Sequence, residues 1–300
     1  MSDGFSGTSA GVPVLRETMV RMSARDWFRL YRVRDWLHFL PLPLAGWITG
    51  GTSSTRALVG GVVGWALALA YTSAINQAFD DRLDRLHIGK NPVGGSITRR
   101  QAILLSLPPA LASVAVVAWL SPTGLVPTIV LLLAATLYSA PPRLKRVPVL
   151  GTLWNLLVGL PGLFFADRPD ITGQPLRVLA GAFALLLLVS QLIHEAEDRE
   201  DDRLGGVSTV ATVTGMNGAL SAASMFLMVM PGAVWWLANG LTERTELTIA
   251  AALFAGAWTS LLLNRIRLSD SVALRRTRLN YRYSAFALGA LIFAAAARTF

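Results

Sequence analysis

The chain has 300 residues, of which 53% are hydrophobic and only 15% are charged, and its mean hydropathy is +0.50. This composition is too apolar for an ordinary water-soluble domain and indicates a protein that lies in a lipid bilayer. The sequence contains no cysteine, which excludes disulfides, thiolate metal sites and a cysteine nucleophile.

The N-terminal region is predicted to have two parts. Residues 1–15 are small and polar without an apolar core, so they are predicted to be a disordered tail rather than a secretory signal. Residues 16–35 place six arginines among methionine and aromatic side chains, a pattern that predicts an amphipathic helix on the cytoplasmic membrane surface. Residues 36–300 are predicted to form a single transmembrane domain.

Nine apolar runs in this domain are long enough to cross roughly 30 Å of hydrocarbon. They lie near 36–52, 57–80, 101–120, 123–140, 149–166, 175–195, 216–238, 246–264 and 281–299. A tight turn, "SPTG" (residues 121–124), separates the third run from the fourth. The sequence therefore predicts an all-α, polytopic membrane protein with about nine transmembrane helices.

The basic residues predict the orientation of these helices. With nine crossings, the N-terminal segment and the loops after the second, fourth, sixth and eighth runs share one side. All but five of the 27 Lys and Arg residues lie on that side, which marks it as cytoplasmic. The exceptions are Arg56, Arg168, Arg177, Arg244 and Arg298. We therefore expect an integral protein of the cell (inner) membrane, whose charge of +9 reflects topology and not nucleic-acid binding.

Half of the 18 acidic residues form two clusters at the predicted cytoplasmic ends of the second and sixth runs. At about 100° per residue, Asn76, Asp80 and Asp84 share one helix face, and so do Glu195, Asp198 and Asp202. Stacked carboxylates repel one another and oppose the helix dipole, so bound cations are expected there. Oxygen ligands without His or Cys favour hard cations such as Mg²⁺. Either cluster alone would be as typical of a polar helix end as of a cation site. Two clusters with matched spacing on the same side favour a cation site.

Basic side chains on the same predicted face are candidates for binding a metal-bound diphosphate. Lys145 and Arg143 lie in "YSAPPRLKR" after the fourth run, and Lys90, Arg34 and Arg203 are further candidates. For each of them, contact with a lipid head group is the alternative.

Two residues are candidates for an acceptor pocket. Asn155 is a lone amide in the fifth run, where an unpaired polar group is costly, so it lines a cavity or forms an interhelical hydrogen bond. Tyr138, at the end of the fourth run, is the second candidate.

These motifs resemble the two signatures of the UbiA-type intramembrane prenyltransferases. An NxxxDxxxD run is present at Asn76, Asp80 and Asp84, and a DxxxD run at Asp198 and Asp202 is followed by a Gly (206) and a Thr (209). "YSAPPRLK" is similar to the family's loop after its fourth helix, and the resemblance extends over about residues 30–300. It implies a nine-span bundle built from two similar four-helix halves.

The resemblance also implies an activity and a ligand set. Two Mg²⁺ ions would hold the diphosphate of a polyprenyl donor, one ion at the first motif and one at the second with Glu195, while Lys145 and Arg143 match the family's diphosphate-holding loop. Asp80, Asp84, Asp198 and Asp202 would be the catalytic carboxylates. The expected reaction is Mg²⁺-dependent transfer of a prenyl group, an alkyl group other than methyl, to an aromatic or other lipophilic acceptor within the membrane. The expected partners are donor, acceptor and membrane lipids.

One segment departs from the family pattern. Where the family has Asn-Arg-Pro-Ile, this chain has Lys90-Asn91-Pro92-Val93, and the family's arginine is missing. Three alternatives stay open: a terpene cyclase with the same fold, a silent scaffold, and a transporter, although transporters tend to place ionisable residues near the membrane midplane. Donor length, acceptor identity and oligomeric state are not predicted.

Overall fold

A computed structural model describes residues 23–49, 54–80, 92–94, 96–166, 174–268 and 273–297. This part of the chain is helical, apart from one isolated bridge between Val93 and Ile97. The α-helices are α1 (Ala24–Tyr31), α2 (Val33–Trp36), α3 (Pro41–Thr49), α4 (Thr55–Phe79), α5 (Arg99–Leu120), α6 (Leu125–Ser139), α7 (Leu150–Gly159), α8 (Gln174–Leu204), α9 (Val210–Leu237), α10 (Arg244–Leu268) and α11 (Leu274–Ala297). The predicted all-α fold is confirmed.

Six of the described helices are long and apolar enough to cross a membrane, which identifies an integral membrane protein. They correspond to α4, α5, α6 with the short turn before it, α8, α9 and α10. The other three predicted spans correspond to α3, α7 and α11, which do not meet these criteria. Helix α3 has nine residues, α7 has ten before a 3₁₀ turn at Leu160–Phe164, and α11 begins with an arginine-rich stretch. The predicted number of about nine is therefore not confirmed.

Small residues allow α4 to pack tightly against its neighbours, as is common between membrane helices. A Cβ atom at Gly64 would lie 2.2 Å from the Val117 side chain of α5, too close for any larger residue. The Ser113 hydroxyl of α5 donates to the Gly64 carbonyl at 2.8 Å. On the same helix, buried Trp65 meets Phe165 edge to face, with ring centroids 5.1 Å apart. These contacts fix the position of α4, which ends at the first acidic motif.

Helix α1 packs against the end of α4 that carries this motif. Ser23 and Asp26 form a capping box at its start, and fully buried Leu30 contacts a cluster that includes Ala74 and Ala78 of α4. The amide of Gln77 donates to the carbonyls of the last α1 residues, at 2.8 Å to Arg29 and also to Leu30. Part of the predicted amphipathic segment is thus a helix that packs against α4. Residues 16–22 of this segment lie outside the described residues, and its location on the membrane surface remains a prediction.

The C-terminal helices α8–α11 share a hydrophobic core of their own, whereas the smaller clusters of buried apolar residues involve α1–α7. Between α8 and α9 the chain turns at Gly206, whose φ of 65° lies in the left-handed region that favours glycine. Thr209 then caps α9 by accepting from the Thr212 amide at 3.2 Å. The Gly and Thr that follow the second motif are therefore a turn residue and a helix cap.

Candidate functional site

The first motif lies where α4 ends, and the structure brings it together with the predicted basic loop. Asn76 is in the last turn of α4, and Asp80 is its C-terminal cap. The Lys145 ammonium forms an ion pair with Asp80 and lies 3.3 Å from Asn76 Oδ1. Ser139 also donates to Asn76 Oδ1, at 3.2 Å, and Arg143 is 3.5 Å from Asp80. A cation thus already occupies the oxygen-lined face of this motif.

The backbone of the loop after α6 aims these two basic side chains. Arg143 adopts a left-handed conformation with φ 59°, and its guanidinium donates to the Phe79 carbonyl at 2.6 Å. This bond satisfies one of the free carbonyls at the end of α4. The following 3₁₀ turn, Leu144–Arg146, then directs Lys145 towards Asp80 while Arg146 is exposed.

The second motif lies near the first, close to the end of α6. The charges of Asp198, Glu195 and Asp80 all act on Asp202, and Lys145 supplies positive charge nearby. Tyr138, from the last turn of α6, lies close enough to Glu195, Asp80 and Asp202 to feel all three charges. Asp202 therefore belongs to a crowded group of carboxylates, and Tyr138 lies near residues of both motifs.

Glu195 is buried and engaged by protein donors. Its side chain accepts from the Thr152 hydroxyl at 2.7 Å, the Gln191 amide at 3.2 Å and the Val210 backbone N–H at 3.0 Å. It is 5% exposed. These bonds connect α7 and the start of α9 to α8. Glu195 therefore has the contacts of a carboxylate that positions helices.

Further carboxylates of α8 face α11. His194 Nδ1 lies 3.2 Å from Asp198 Oδ2, and Glu197 pairs with Arg278 of α11 at 2.9 Å. His194, Glu197 and Asp198 each place a ligand atom within 4.8 Å of the others. Asp198 therefore lies between the Asp202 group and a second polar cluster that the sequence did not predict.

The other predicted site residues are more scattered. Asp84 and Lys90 lie outside the described residues. Arg34 is exposed, and exposed Arg203 pairs with Glu200 at 3.0 Å. Asn155 is half-buried and forms no hydrogen bond with any described residue, so the interhelical bond that was one alternative for it is not observed.

Sequence reasoning missed several polar side chains that support the motifs. Ser139, Thr152 and Gln191 all contact motif residues directly. Gln191 lies four residues before Glu195, a helical spacing that was a usable signal. Ser139 and Thr152 lie on other helices, so no local spacing in the sequence predicted their contacts.

Together, the described fold and this site define an all-helical membrane protein with two acidic helix ends near each other and a Lys–Arg loop beside them. Within this class, the family model described as the UbiA prenyltransferase family matches residues 39–286. The chain belongs to that family, which confirms the predicted family and the prediction of a prenyltransferase.

Individual proteins show the same likeness. The chain is 29% identical over 195 residues to the digeranylgeranylglyceryl phosphate synthase of Natronomonas pharaonis, covering 62% of this chain and 67% of that protein. It is 31% identical over 162 residues to the 2-acylphloroglucinol 4-prenyltransferase of Humulus lupulus, covering 48% and 38%. A solved UbiA homologue from Archaeoglobus fulgidus, bound to DMAPP and Mg²⁺, superimposes with a TM-score of 0.70 at 22% identity, covering 90% and 99%.

Proposed function

We propose that this protein transfers a prenyl group from an isoprenoid diphosphate to a lipophilic acceptor at a site between the two acidic motifs. The observation that carries the proposal is the Lys145 ammonium, held by the oxygens of Asn76 and Asp80 opposite Asp202. This arrangement places cation-binding oxygens and a basic side chain at one site, and the departing diphosphate needs both.

The donor set fits Mg²⁺. The ligands are carboxylate and amide oxygens, and the Lys145 ammonium stands where a cation binds to the first motif. Asn76, Asp80 and Asp84 would hold one ion, and Asp198 and Asp202 the other, with Glu195 behind them as a positioning residue. When bound, the ions neutralise the negative charge that develops on the departing diphosphate. The solved Archaeoglobus homologue is bound to Mg²⁺ together with DMAPP, which supports this assignment.

The basic side chains of this chain would bind and orient the donor. Lys145 has three N–H donors on a flexible stem, so it can exchange Asp80 for a diphosphate oxygen, while Arg143 is anchored to the end of α4. The allylic C–O bond breaks with its electron pair leaving on the diphosphate. The acceptor supplies the pair for the new bond to that carbon and loses a proton to water. Apolar helices around the site keep water from the reacting carbon until the acceptor has reacted.

The proposed topology has nine crossings, with the site on the cytoplasmic side of the cell membrane. Three shorter or more polar helices, α3, α7 and α11, would complete the six apolar spans, and the bias of Lys and Arg sets the orientation. The natural sequence has no cysteine, so single cysteines report sidedness without background. Arg203→Cys, in the last turn of α8, should react with an impermeant thiol reagent only from the cytoplasmic side, and Thr242→Cys, after α9, only from outside. Labelling of both from one side would contradict this topology.

The activity is tested by incubating the purified full-length protein with allylic diphosphates of several lengths, with and without Mg²⁺, against aromatic, quinone-precursor and lipid acceptors. We expect Mg²⁺-dependent formation of a prenylated acceptor with one diphosphate released per product. Turnover without a divalent metal would contradict the proposal. Diphosphate release with no acceptor present would instead favour the cyclase alternative.

A further inference from the structure

Asn155 is a polar side chain in the apolar helix α7, and it forms no hydrogen bond with any residue that the structure describes. Its amide has two N–H donors and an acceptor oxygen, and the residue is half-buried. An amide without a partner in a water-poor part of a membrane protein costs free energy, so such residues tend to have a function.

The neighbouring residues of α7 show that Asn155 points into the bundle. The exposed residues of this helix are 40–43% exposed and lie about 140–160° from Asn155 around the helix axis: Leu150, Leu153 and Leu157. Thr152 and Gly159, roughly 60° and 40° from Asn155, both contact α8. Trp154, about 100° away on the other side, donates to the Ala134 carbonyl of α6. Asn155 therefore faces the space between α6 and α8.

Two contacts between α7 and α8 give the level of Asn155 in the bundle. Thr152, three residues before it, donates to Glu195 at 2.7 Å. A Cβ atom at Gly159, four residues after it, would lie 2.5 Å from the Leu187 side chain. Because the two helices run in opposite directions, Asn155 lies about halfway between these levels. It is thus about one helical turn, or about 6 Å, from Glu195 towards the centre of α8.

The other polar side chains near this level already have partners. Gln191 of α8 donates to Glu195 at 3.2 Å, and Tyr138 of α6 is close enough to Gln191 to hydrogen-bond with it. Further along α8, Phe183 and Leu187 form an apolar surface against α7. The Asn155 amide is therefore an unpartnered neutral dipole about one turn from the carboxylates that would hold the metal-bound diphosphate.

The reacting carbon of a donor bound at those carboxylates would lie near this amide. A single oxygen atom joins C1 of the prenyl chain to phosphorus, so C1 must lie next to the carboxylates. When the C1–O bond breaks, positive charge spreads over C1 and C3. An amide oxygen whose dipole is already aimed at this charge stabilises it. The same oxygen is too weak a base to remove a proton from the cation and too weak a nucleophile to retain it.

Resting on the proposed function, we propose that Asn155 is a catalytic residue whose amide oxygen faces the allylic carbons of the donor and stabilises the cation. The electron pair of the C1–O bond leaves with the diphosphate, and the amide forms no covalent bond. The acceptor then supplies the pair for the new bond to C1 and loses a proton to water. Because no described residue occupies the amide, its oxygen is available to the cation.

The test compares Asn155→Leu and Asn155→Asp in the full-length protein in neutral detergent. The donors are dimethylallyl, geranyl and geranylgeranyl diphosphate and their 2-fluoro analogues, and all variants receive the acceptor of the activity test that the natural protein uses best. Asn155→Leu should lower kcat at least about tenfold and change both KM values by less than about threefold. It should also slow the fluoro analogue more than the normal donor, because fluorine further destabilises a cation that has lost the amide.

The control variants separate this role from a packing role. Asn155→Asp keeps an oxygen at the same position and should retain kcat within about threefold of the natural protein. Leu157→Ala, on the exposed side of the same helix, should have the natural kinetics. The melting temperature should not fall in Asn155→Leu, because an apolar side chain of similar size replaces an unpaired amide.

Three results would overturn the inference. The first is a kcat of Asn155→Leu within about twofold of the natural value at unchanged KM. The second is a raised KM for the acceptor at unchanged kcat, which would make Asn155 an acceptor-binding residue. The third is an equal loss of kcat in both Asn155 variants with a lower melting temperature, which would indicate packing. A natural protein that transfers no prenyl group from any donor would instead contradict the proposed function, and this inference with it.

Discussion

The two acidic motifs have similar spacing, but their charge is balanced in different ways. At the end of α4, Asp80 is paired with Lys145 and lies near Arg143, so the protein itself supplies the cations. At the end of α8, Asp202 faces Asp198, Glu195 and Asp80, and the positive charge that acts on it comes from the Lys145 already paired with Asp80. Asp80 of the first motif is neutralised within the fold, whereas Asp202 of the second retains repulsion that a bound cation would relieve.

This difference indicates how ligands would bind. A cation at the second motif removes a repulsion, so binding there is favoured by the fold itself. A cation at the first motif displaces Lys145, which is then available for the diphosphate. Donor and metal should therefore bind cooperatively at the first motif.

The largest expected effect is on turnover. Asp80→Ala and Asp202→Ala, and likewise Asp84→Ala and Asp198→Ala, should each lower the rate of prenyl transfer by about 100-fold or more, because each removes charge stabilisation of the leaving group. Glu200→Ala is the matched control, since this exposed residue pairs with Arg199 and Arg203 and lies two positions from Asp202. Near-normal turnover of any two of the four aspartate variants would contradict a two-metal site.

Lys145→Ala tests the double role of this side chain. We expect the KM for the donor to rise roughly 10-fold to 100-fold, because a charge-assisted bond to the diphosphate is lost. Mg²⁺ should bind more tightly to this variant in the absence of donor, since the competing ammonium is gone. Arg146→Ala, in the same turn but exposed, is the control. Weaker Mg²⁺ binding to Lys145→Ala without donor would mean that the ammonium does not occupy a metal position.

Opposite stability changes are expected when the two motifs are neutralised in metal-free protein. Asp80→Asn leaves Lys145 without its carboxylate and should destabilise the fold by roughly 1–3 kcal/mol. Asp202→Asn removes repulsion from Asp198 and Glu195 and should raise the melting temperature. Thermal unfolding in EDTA measures both changes. Shifts of the melting temperature with the same sign would contradict the proposed difference in charge balance between the two motifs.

The smallest effect on turnover is expected for Glu195→Gln. Glu195→Gln keeps an acceptor for the Val210 amide, and the Thr152 hydroxyl can reverse its role, so turnover and its Mg²⁺ dependence should stay within about fivefold of the natural protein. Glu195→Ala leaves three donors unpaired and should destabilise the protein by about 3 kcal/mol. A large loss of Mg²⁺ affinity in Glu195→Gln would show that this carboxylate is a metal ligand.

Helical periodicity predicted much of the fold and part of the site. Apolar runs located the long spans. The rotation of about 100° per helical residue placed Asn76 and Asp80 on one face, where Lys145 contacts both. The charged start of α11 did not predict a binding site, because its arginines could equally well contact lipid head groups. Arg282 lines a cavity because of the way α11 packs against α3 and α8. No local sequence pattern encodes that packing. The contact of Asp198 with His194, four residues earlier on α8, has a helical spacing that the sequence could have predicted.

The bond from Gln77 to α1 has a consequence for the size of the functional unit. The match to the family begins at residue 39, yet the amide next to Asn76 donates to the carbonyls of Arg29 and Leu30, upstream of that point. Truncating the chain at the family boundary would strip two acceptors from a fully buried amide and uncover the apolar surface that Leu30 shields. The smallest active fragment should therefore begin near Ser23, although exposed Arg34 is the one residue of the segment it keeps that was predicted to bind metal or diphosphate.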